Sequence, residues 1–475
     1  MSTAVVAAAL PVAVAAQTPD FGVDLPAEPA PGVAFPTAET ELNAWIFGPS
    51  PAREEIVRHG WGLWAGLTAP SGASRFGIEN AAIYQTWLSP SDIIALMAGR
   101  TPPPTLALRS PLQFQRGSGT PHILDETPVA AGGLKVDHAV AEVVAYSPAS
   151  AAHAYTNELL WTDTLNAYVE QGYTEIPPFP PTAVNIKPVY KRVSESELHG
   201  GSIYAMPAWP GTPADVASWT PAQQERGFPN TDWGQCVYID VDNPGTSPAR
   251  GVDPSCANPS ADNTYGLGDF ISIAINADNR EHFEALRFAA PGQAPERVNL
   301  EDGDHLILVG MHVTSRETER WTWQTFWWAA DPAAPNAPSS AEIAAARPDV
   351  LTGAAAHYAM AIAYSMLAPA QPLTGGHNIG ALQPAYNPHL EAGFGSHTFG
   401  LTRAVETPSG QVTTNLGVQS NCMSCHGMAG YATANTSYTS NVYVPRDAAY
   451  FEGGITVDFA WSIADEAEPR PDGDN

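Results

Sequence analysis

Two cysteines and a histidine near the end of the chain have types and spacing suited to holding a cofactor. Cys422, Cys425 and His426 form a C-x-x-C-H sequence. Two intervening residues, Met423 and Ser424, let both thiols reach the two vinyl groups on one edge of a porphyrin. The next residue then presents its imidazole to the iron. Because this is the spacing of c-type haem attachment, we expect one covalently bound haem c.

This segment resembles the haem-attachment motif of c-type cytochromes, and the resemblance covers these few residues only. It implies that Cys422 and Cys425 attach the haem and that His426 is the proximal iron ligand. Cytochromes similar to mitochondrial cytochrome c place a methionine ligand well downstream. Beyond Met428, which is too close to His426 to reach the opposite haem face, this chain has neither methionine nor histidine. We therefore expect the upstream chain to cover the distal face.

A predicted helix over Thr352–Leu367 is the first candidate for the distal side. Spacings of three and four would place His357, Met360 and Tyr364 on one helical face. His357 or Met360 would then bind the iron, and Tyr364 would pack on the ring. A buried core stripe explains the same pattern, because methionine and aromatic side chains often fill irregular gaps.

Other histidines could supply the distal ligand, and the iron could also stay five-coordinate for a small molecule. The further candidates are His377, His389 and His397, and His59 and His312 are remoter candidates.

Two other kinds of site contain C-x-x-C. A thioredoxin-like redox site requires a strand before the cysteines and a helix after them. Val412–Gln419 is strand-like, but Gly427 and Gly430 disfavour a long helix. A zinc site requires a second ligand pair at close spacing, which the sequence does not contain.

An acidic loop is a weaker candidate for calcium. Asp240–Gly245 begins like a calcium loop, but Pro244 and the missing later glutamate argue against an EF-hand. Oxygen ligands could still gather around Asp253, Asp262 and Asp269. We favour a solvated acidic loop over a calcium site for these residues.

The helices and strands predicted from the rest of the sequence indicate an α+β fold. We expect a β-rich centre with peripheral helices, and a C-terminal haem-bearing segment packed on that centre. Helices are predicted over Thr40–Phe47, Arg53–Leu67, Ser89–Met97 and Ser150–Glu170. Strands are predicted over Phe270–Ile275 and in a hairpin of Leu306–Val313 and Trp321–Trp328. Gly200–Gly268 is rich in Pro, Gly, Asp and Asn, and is predicted to be irregular.

Three segments follow from these patterns. Residues 1–16 resemble a secretory signal peptide that lacks the usual basic residues, residues 17–345 form a mixed α+β body, and residues 346–475 form a haem-bearing region packed on that body. No later segment is long and apolar enough to cross a bilayer. We expect a periplasmic or secreted protein, with a disulfide between Cys236 and Cys256.

The net charge limits the classes of molecule that the protein is expected to bind. With 49 acidic and 21 basic residues, the net charge of -28 repels nucleic acid and anionic lipid. A basic redox partner protein could be steered to this surface, although acidic solvation alone also explains it. The sequence leaves the oligomeric state open.

The leading hypothesis is periplasmic electron transfer through a single c-type haem. A haem enzyme, an oxidoreductase or peroxidase-like protein with an open distal site, is the alternative. In a third reading the large upstream body binds a substrate or partner, and the haem is its electron outlet. The sequence has no nucleotide-binding or serine-hydrolase fingerprint.

Overall fold

An antiparallel sheet forms the centre of this α+β protein, and helices lie around it. The computed structural model describes residues 19–48, 52–102, 105–111, 134–213, 219–283, 286–288, 296–364, 384–394, 403–407, 410–414, 422–433 and 449–471. The predicted signal peptide and the candidate ligands His377 and His397 lie outside these residues.

The helices and strands follow one another along the whole described chain. The helices are α1 (Glu39–Phe47), α2 (Arg53–Thr68), α3 (Pro90–Met97), α4 (Pro148–Thr156), α5 (Thr162–Glu170), α6 (Pro221–Arg226), α7 (Ala341–Ala345), α8 (Cys422–His426) and α9 (Trp461–Glu466). The strands are β1 (Ala141–Glu142), β2 (Ala145–Tyr146), β3 (Val184–Val193), β4 (Ile203–Pro207), β5 (Cys236–Asp240), β6 (Thr264–Gly266), β7 (Ser272–Ala274), β8 (Leu286–Phe288), β9 (Glu296–Val298), β10 (His305–Ser315), β11 (Thr322–Trp328), β12 (Tyr358–Ile362), β13 (Arg403–Thr407), β14 (Gly410–Thr414), β15 (Gly430–Tyr431) and β16 (Ile455–Thr456).

The central sheet has the order β1-β3-β10-β11-β12, with β2 also paired to β3 and β7 to β10. The predicted hairpin is confirmed, because β10 and β11 pair antiparallel from Gly310–Trp327 to Ser315–Thr322. A register shift between Leu308 and Gly310 interrupts the β10–β3 pairing.

Alternate residues of these strands point to opposite faces of the sheet. On one face, Phe326 lies beside Met311 and Met360 in the strand registers and packs against α2; we call this the helix-covered face. On the other, Lys187 lies beside His312 in the register, and both line a cavity; we call this the cavity face.

Helix α2 covers its face through close packing rather than through a polar–apolar stripe. Its first turn carries Glu54 and Glu55, which complement the helix dipole. Trp64 stacks on Phe326 with 4.4 Å between ring centroids. Gly60 permits the close approach, because a Cβ there would lie 2.8 Å from the Sδ of Met360.

Several predicted elements are confirmed and others need correction. Helices α1, α2 and α3 lie where the sequence predicted them, and Ser89 caps α3 by accepting from the Asp92 N–H. The predicted helix over 150–170 is instead two helices, α4 and α5. The segment 200–268, predicted to be irregular, contains β4, β5 and β6.

The predicted helix Thr352–Leu367 is wrong. Within its described part, a short 3-10 helix (Gly353–His357) leads into strand β12, which pairs with β11. Large side chains at Tyr358, Met360 and Ile362 alternate with alanines, so the strand fits large groups on one face and small ones on the other. Strand β12, which lies within the range 346–475, therefore belongs to the same sheet as strands of the preceding body.

Cys236 at the start of β5 forms the predicted disulfide with Cys256. The bridge closes a loop with a sequence separation of 20 residues. No helix in the described part of the chain combines the length and apolar character needed to cross a membrane.

Candidate functional site

The motif cysteines lie on a single helical turn, α8. Residues three and four apart on a helix are neighbours on one face, so Cys422, Cys425 and His426 all line the same cavity. Neither cysteine forms a disulfide. Burial raises the pKa of the Cys422 thiol, which keeps it protonated at neutral pH.

His426 is held in one orientation and one tautomer. Its Nδ1 lies 2.8 Å from the carbonyl oxygen of Phe459, which can only accept, so Nδ1 carries the proton. No described residue bonds to Nε2, which is left with its lone pair beside the cavity. Burial lowers the pKa of His426 to about 4. A neutral imidazole with a carbonyl on its other nitrogen is the usual state of a metal-ligating histidine.

The C-terminal segment and one strand of the sheet position α8. The Trp461 indole N–H at the start of α9 donates to the Cys425 carbonyl at 3.1 Å. The Cys422 thiol lies 3.4 Å from the Ala385 carbonyl. The Trp323 ring of β11 lies 4.4 Å from the His426 ring, centroid to centroid. The turn is thereby fixed on three sides.

The cavity lies between α8, α9 and the cavity face of the sheet, and encloses about 1130 Å³ including its open mouth. Its largely aromatic walls include Val144, Trp321, Trp323, Phe394, Phe459 and Trp461.

Charged and polar groups meet the aromatic walls along the sheet. His312 Nε2 lies 2.9 Å from Glu391 Oε1, and Lys187 Nζ lies 3.0 Å from Glu142 Oε1. Arg109 pairs with Glu466 at the end of α9. Burial alone would raise the pKa of Glu391, but attraction to His312 and hydrogen bonds outweigh it and hold that pKa below its usual value. Glu391 therefore stays ionised in the cavity wall.

The structure does not bring the predicted distal residues to the motif. Met360 lies on the helix-covered face beside Phe326 and Gly60. Tyr364 donates to His59 Nδ1 at 2.5 Å, and His357 Nε2 lies 3.1 Å from Asp269 Oδ1. None of the three lines the cavity. In the described part of 352–367 a 3-10 helix and strand β12 stand in place of the predicted helix, so the three side chains do not share one helical face.

The remaining described candidate histidines lie in different parts of the molecule. His59 is buried in a network on the helix-covered face. His389 is buried beside Trp233, with 5.1 Å between ring centroids, and does not line the cavity. Only His312, of these distal-ligand candidates within the described ranges, joins His426 there.

The acidic loop uses its carboxylates for its own hydrogen bonds. Asp253 accepts from the backbone of Ser255, Ala257 and Asn258 and from the Tyr238 hydroxyl. Asp269 accepts from the N–H groups of Ser247 and Gly266. Where the chain is described, no group of three or more His, Cys, Asp or Glu side chains could hold a metal ion.

Sequence reasoning missed the pairing of His312 with Glu391. The two residues are 79 positions apart, and no local pattern joins them. The one available signal was His312 itself, a polar residue inside an otherwise β-prone apolar run.

Comparison with protein-family models, curated proteins and solved structures found no match.

Proposed function

We propose that this chain is a monohaem c-type cytochrome protein whose haem is attached through Cys422 and Cys425 and ligated by His426. One observation carries the proposal. Two cysteines outside any disulfide and an imidazole whose Nε2 bonds to no described residue line one cavity, and the other ring nitrogen donates to a carbonyl. This is the arrangement that a proximal haem ligand requires.

The residues around the motif fit a porphyrin. Trp321, Trp323 and Trp461 provide flat apolar surface against which a porphyrin ring could pack. When bound, the haem supplies an iron that exchanges one electron between Fe(III) and Fe(II). The chain would attach it, orient the proximal imidazole and exclude water with its aromatic walls.

Electron transfer in the periplasm, or outside the cell, is the role we propose first. Covalent attachment prevents haem loss from an exported protein, and the disulfide fits an oxidising compartment. The acidic surface would steer a basic redox partner. That association should weaken as ionic strength rises.

A haem enzyme is the second candidate, and a specific observation favours it. His312, Glu391 and Lys187 line the cavity together, whereas electron transfer through one haem does not need an ionisable trio beside it. Binding of cyanide or carbon monoxide distinguishes electron transfer from a haem enzyme. A closed, low-spin site that binds neither ligand indicates electron transfer alone, and a site that binds them indicates an open position.

The two cysteine pairs provide a matched test of haem attachment. The protein would be produced in a host with the c-type haem maturation machinery, and alkaline pyridine haemochrome spectra would be recorded. Wild type and a Cys236→Ser, Cys256→Ser variant should both show a thioether-linked haem. A Cys422→Ser, Cys425→Ser variant should show none after denaturation. Haem that dissociates from denatured wild type would refute the proposal.

A further inference from the structure

His312 reaches the cavity because of its place in β10. It pairs with Lys187 of β3 and Thr325 of β11 in the strand registers, so all three side chains point to the cavity face. Glu142 lies 3.0 Å from Lys187 and offsets its positive charge. Lys187 therefore does not oppose protonation of His312 with an uncompensated positive charge.

Glu391 is fixed before it meets His312. One carboxylate oxygen accepts the Asn387 backbone N–H at 2.6 Å. The Asn387 side chain is itself tied to β11, donating to Thr325 Oγ1 at 3.0 Å and to the Phe326 carbonyl at 2.9 Å. Gly310 makes room for it, because a Cβ there would lie 2.6 Å from Asn387 Nδ2.

The fixed carboxylate decides which nitrogen of His312 is basic. Nε2 lies 2.9 Å from the Glu391 carboxylate, so Nε2 carries the hydrogen and Nδ1 carries the lone pair. No described residue bonds to Nδ1, and the side chain retains 23% of its exposure. A proton taken up at Nδ1 produces an imidazolium that Glu391 stabilises directly.

We propose that His312, positioned by Glu391, is the proton acceptor for a small, weakly acidic ligand H–X that enters the cavity. The biological ligand would be of the hydrogen peroxide class. The H–X bond breaks, its electron pair stays on X, and the proton passes to Nδ1 of His312. A haem held by Cys422, Cys425 and His426 would supply an iron with affinity for the anion X⁻. This inference rests on the proposed haem site and adds to it an open distal position and a residue that serves it.

Hydrogen cyanide and carbon monoxide test the inference without any enzymatic assay. Hydrogen cyanide must lose a proton to bind ferric haem as the anion, whereas carbon monoxide binds ferrous haem without proton transfer. Binding rates of both would be measured by stopped flow on the haem-loaded wild type, His312→Gln and Glu391→Gln. The control is His199→Gln, since His199 bonds to the Lys135 carbonyl and does not line the cavity.

His312→Gln should slow cyanide binding about 100-fold, the lower end of general-base contributions, and Glu391→Gln about tenfold, through loss of a charge-assisted hydrogen bond. Carbon monoxide rates should stay within twofold in both variants, and His199→Gln should match wild type throughout.

Three results would overturn the inference while leaving covalent haem in place. Equal effects on cyanide and carbon monoxide would assign His312 a steric role. Faster cyanide binding with a high-spin spectrum in His312→Gln would make His312 an iron ligand. Wild type that binds neither ligand would have a closed distal position. A wild type without thioether-linked haem refutes the proposed function itself, and the inference with it.

Discussion

The two faces of the central sheet each hold a histidine–glutamate pair, and the two pairs have opposite surroundings. On the helix-covered face, His59 Nε2 lies 3.1 Å from Glu317 Oε1. On the cavity face, His312 Nε2 lies 2.9 Å from Glu391 Oε1. The side chains of the first pair are at most 1% exposed, whereas those of the second are 23% and 17% exposed.

The pair on the helix-covered face is saturated. Tyr364 donates to the second nitrogen of His59 at 2.5 Å. Glu317 also accepts from the Thr37 backbone N–H at 2.6 Å and from the Ser315 hydroxyl. Every strong hydrogen-bonding position is occupied by the protein itself, so this pair can hold the fold together but has nothing to offer a ligand.

The pair on the cavity face has fewer hydrogen bonds to described residues. Glu391 is held as firmly as Glu317, yet no described residue bonds to the second nitrogen of His312. This difference shows that the residue types of a histidine–glutamate pair do not by themselves determine what the pair does. A structural pair and a chemically available pair differ in whether the protein occupies the last nitrogen.

Removing each glutamate should produce the largest contrast between the faces. Glu317→Ala should lower the free energy of unfolding by about 3–5 kcal/mol, because it leaves buried partners unsatisfied. Glu391→Ala should cost about 1–2 kcal/mol, since water can reach its partner His312. Urea titrations of both variants measure the difference. Equal losses would show that the two surroundings do not differ as described.

Met360 offers a second way to separate the faces. Met360→Ala should cost about 2–5 kcal/mol through the cavity it leaves beneath α2. The haem spectrum and reduction potential should not change, because the side chain lies on the helix-covered face. Met423→Ala, inside α8, is the contrasting variant and should alter the spectrum. A spectral shift in Met360→Ala would restore that residue as an iron ligand.

The disulfide tests whether lost stability alone changes the cavity. The Cys236→Ser, Cys256→Ser variant should lose about 3 kcal/mol, as expected for a loop of this length. The cyanide binding rate should stay as in wild type, because neither cysteine lines the cavity. A slower rate in this variant would mean that the rates report general loosening rather than His312.

His389 should have the smallest effect on the free energy of unfolding, and this effect should depend on pH. Burial lowers its pKa to about 3, against an unfolded value near 6.5. Between these values the unfolded chain binds the extra proton, so this contribution to stability is present above pH 6.5 and is lost as pH falls toward 3. At pH 5 the loss should be about 2 kcal/mol. His389→Gln should flatten this part of the stability profile; an unchanged profile would place the acid sensitivity elsewhere.

Local patterns explain what the sequence predicted correctly. Ser89 with Asp92 is a local helix-start signal, and α3 begins there. The β-prone runs around the polar segment 314–320 indicated the β10–β11 hairpin. Cys236 and Cys256, the two cysteines outside the C-x-x-C-H motif, indicated the disulfide.

Strand β12 shows why a pattern of spacings can mislead. His357, Met360 and Tyr364 match a helix by spacing, but Tyr358, Met360, Ile362 and Tyr364 also alternate with alanines. Both faces of β12 are buried, so the alternation is in size and not in polarity. A search for apolar–polar alternation therefore does not detect it.

The cavity could be predicted only in part. The motif itself identifies Cys422, Cys425 and His426 from their spacing. The carbonyl of Phe459, the wall of Trp323 and the pairing of His312 with Glu391 depend on contacts between residues far apart in sequence. Such contacts are made by the sheet, and no single stretch of sequence encodes them.

The central claim is that the cavity face carries one haem bound covalently to Cys422 and Cys425, and the mass of the denatured protein tests it most directly. Protein made with the haem maturation machinery should exceed the mass of its polypeptide by one haem, and digestion should place that mass on the peptide containing residues 422–426. A polypeptide of unmodified mass, or haem carried by any other peptide, would contradict the account.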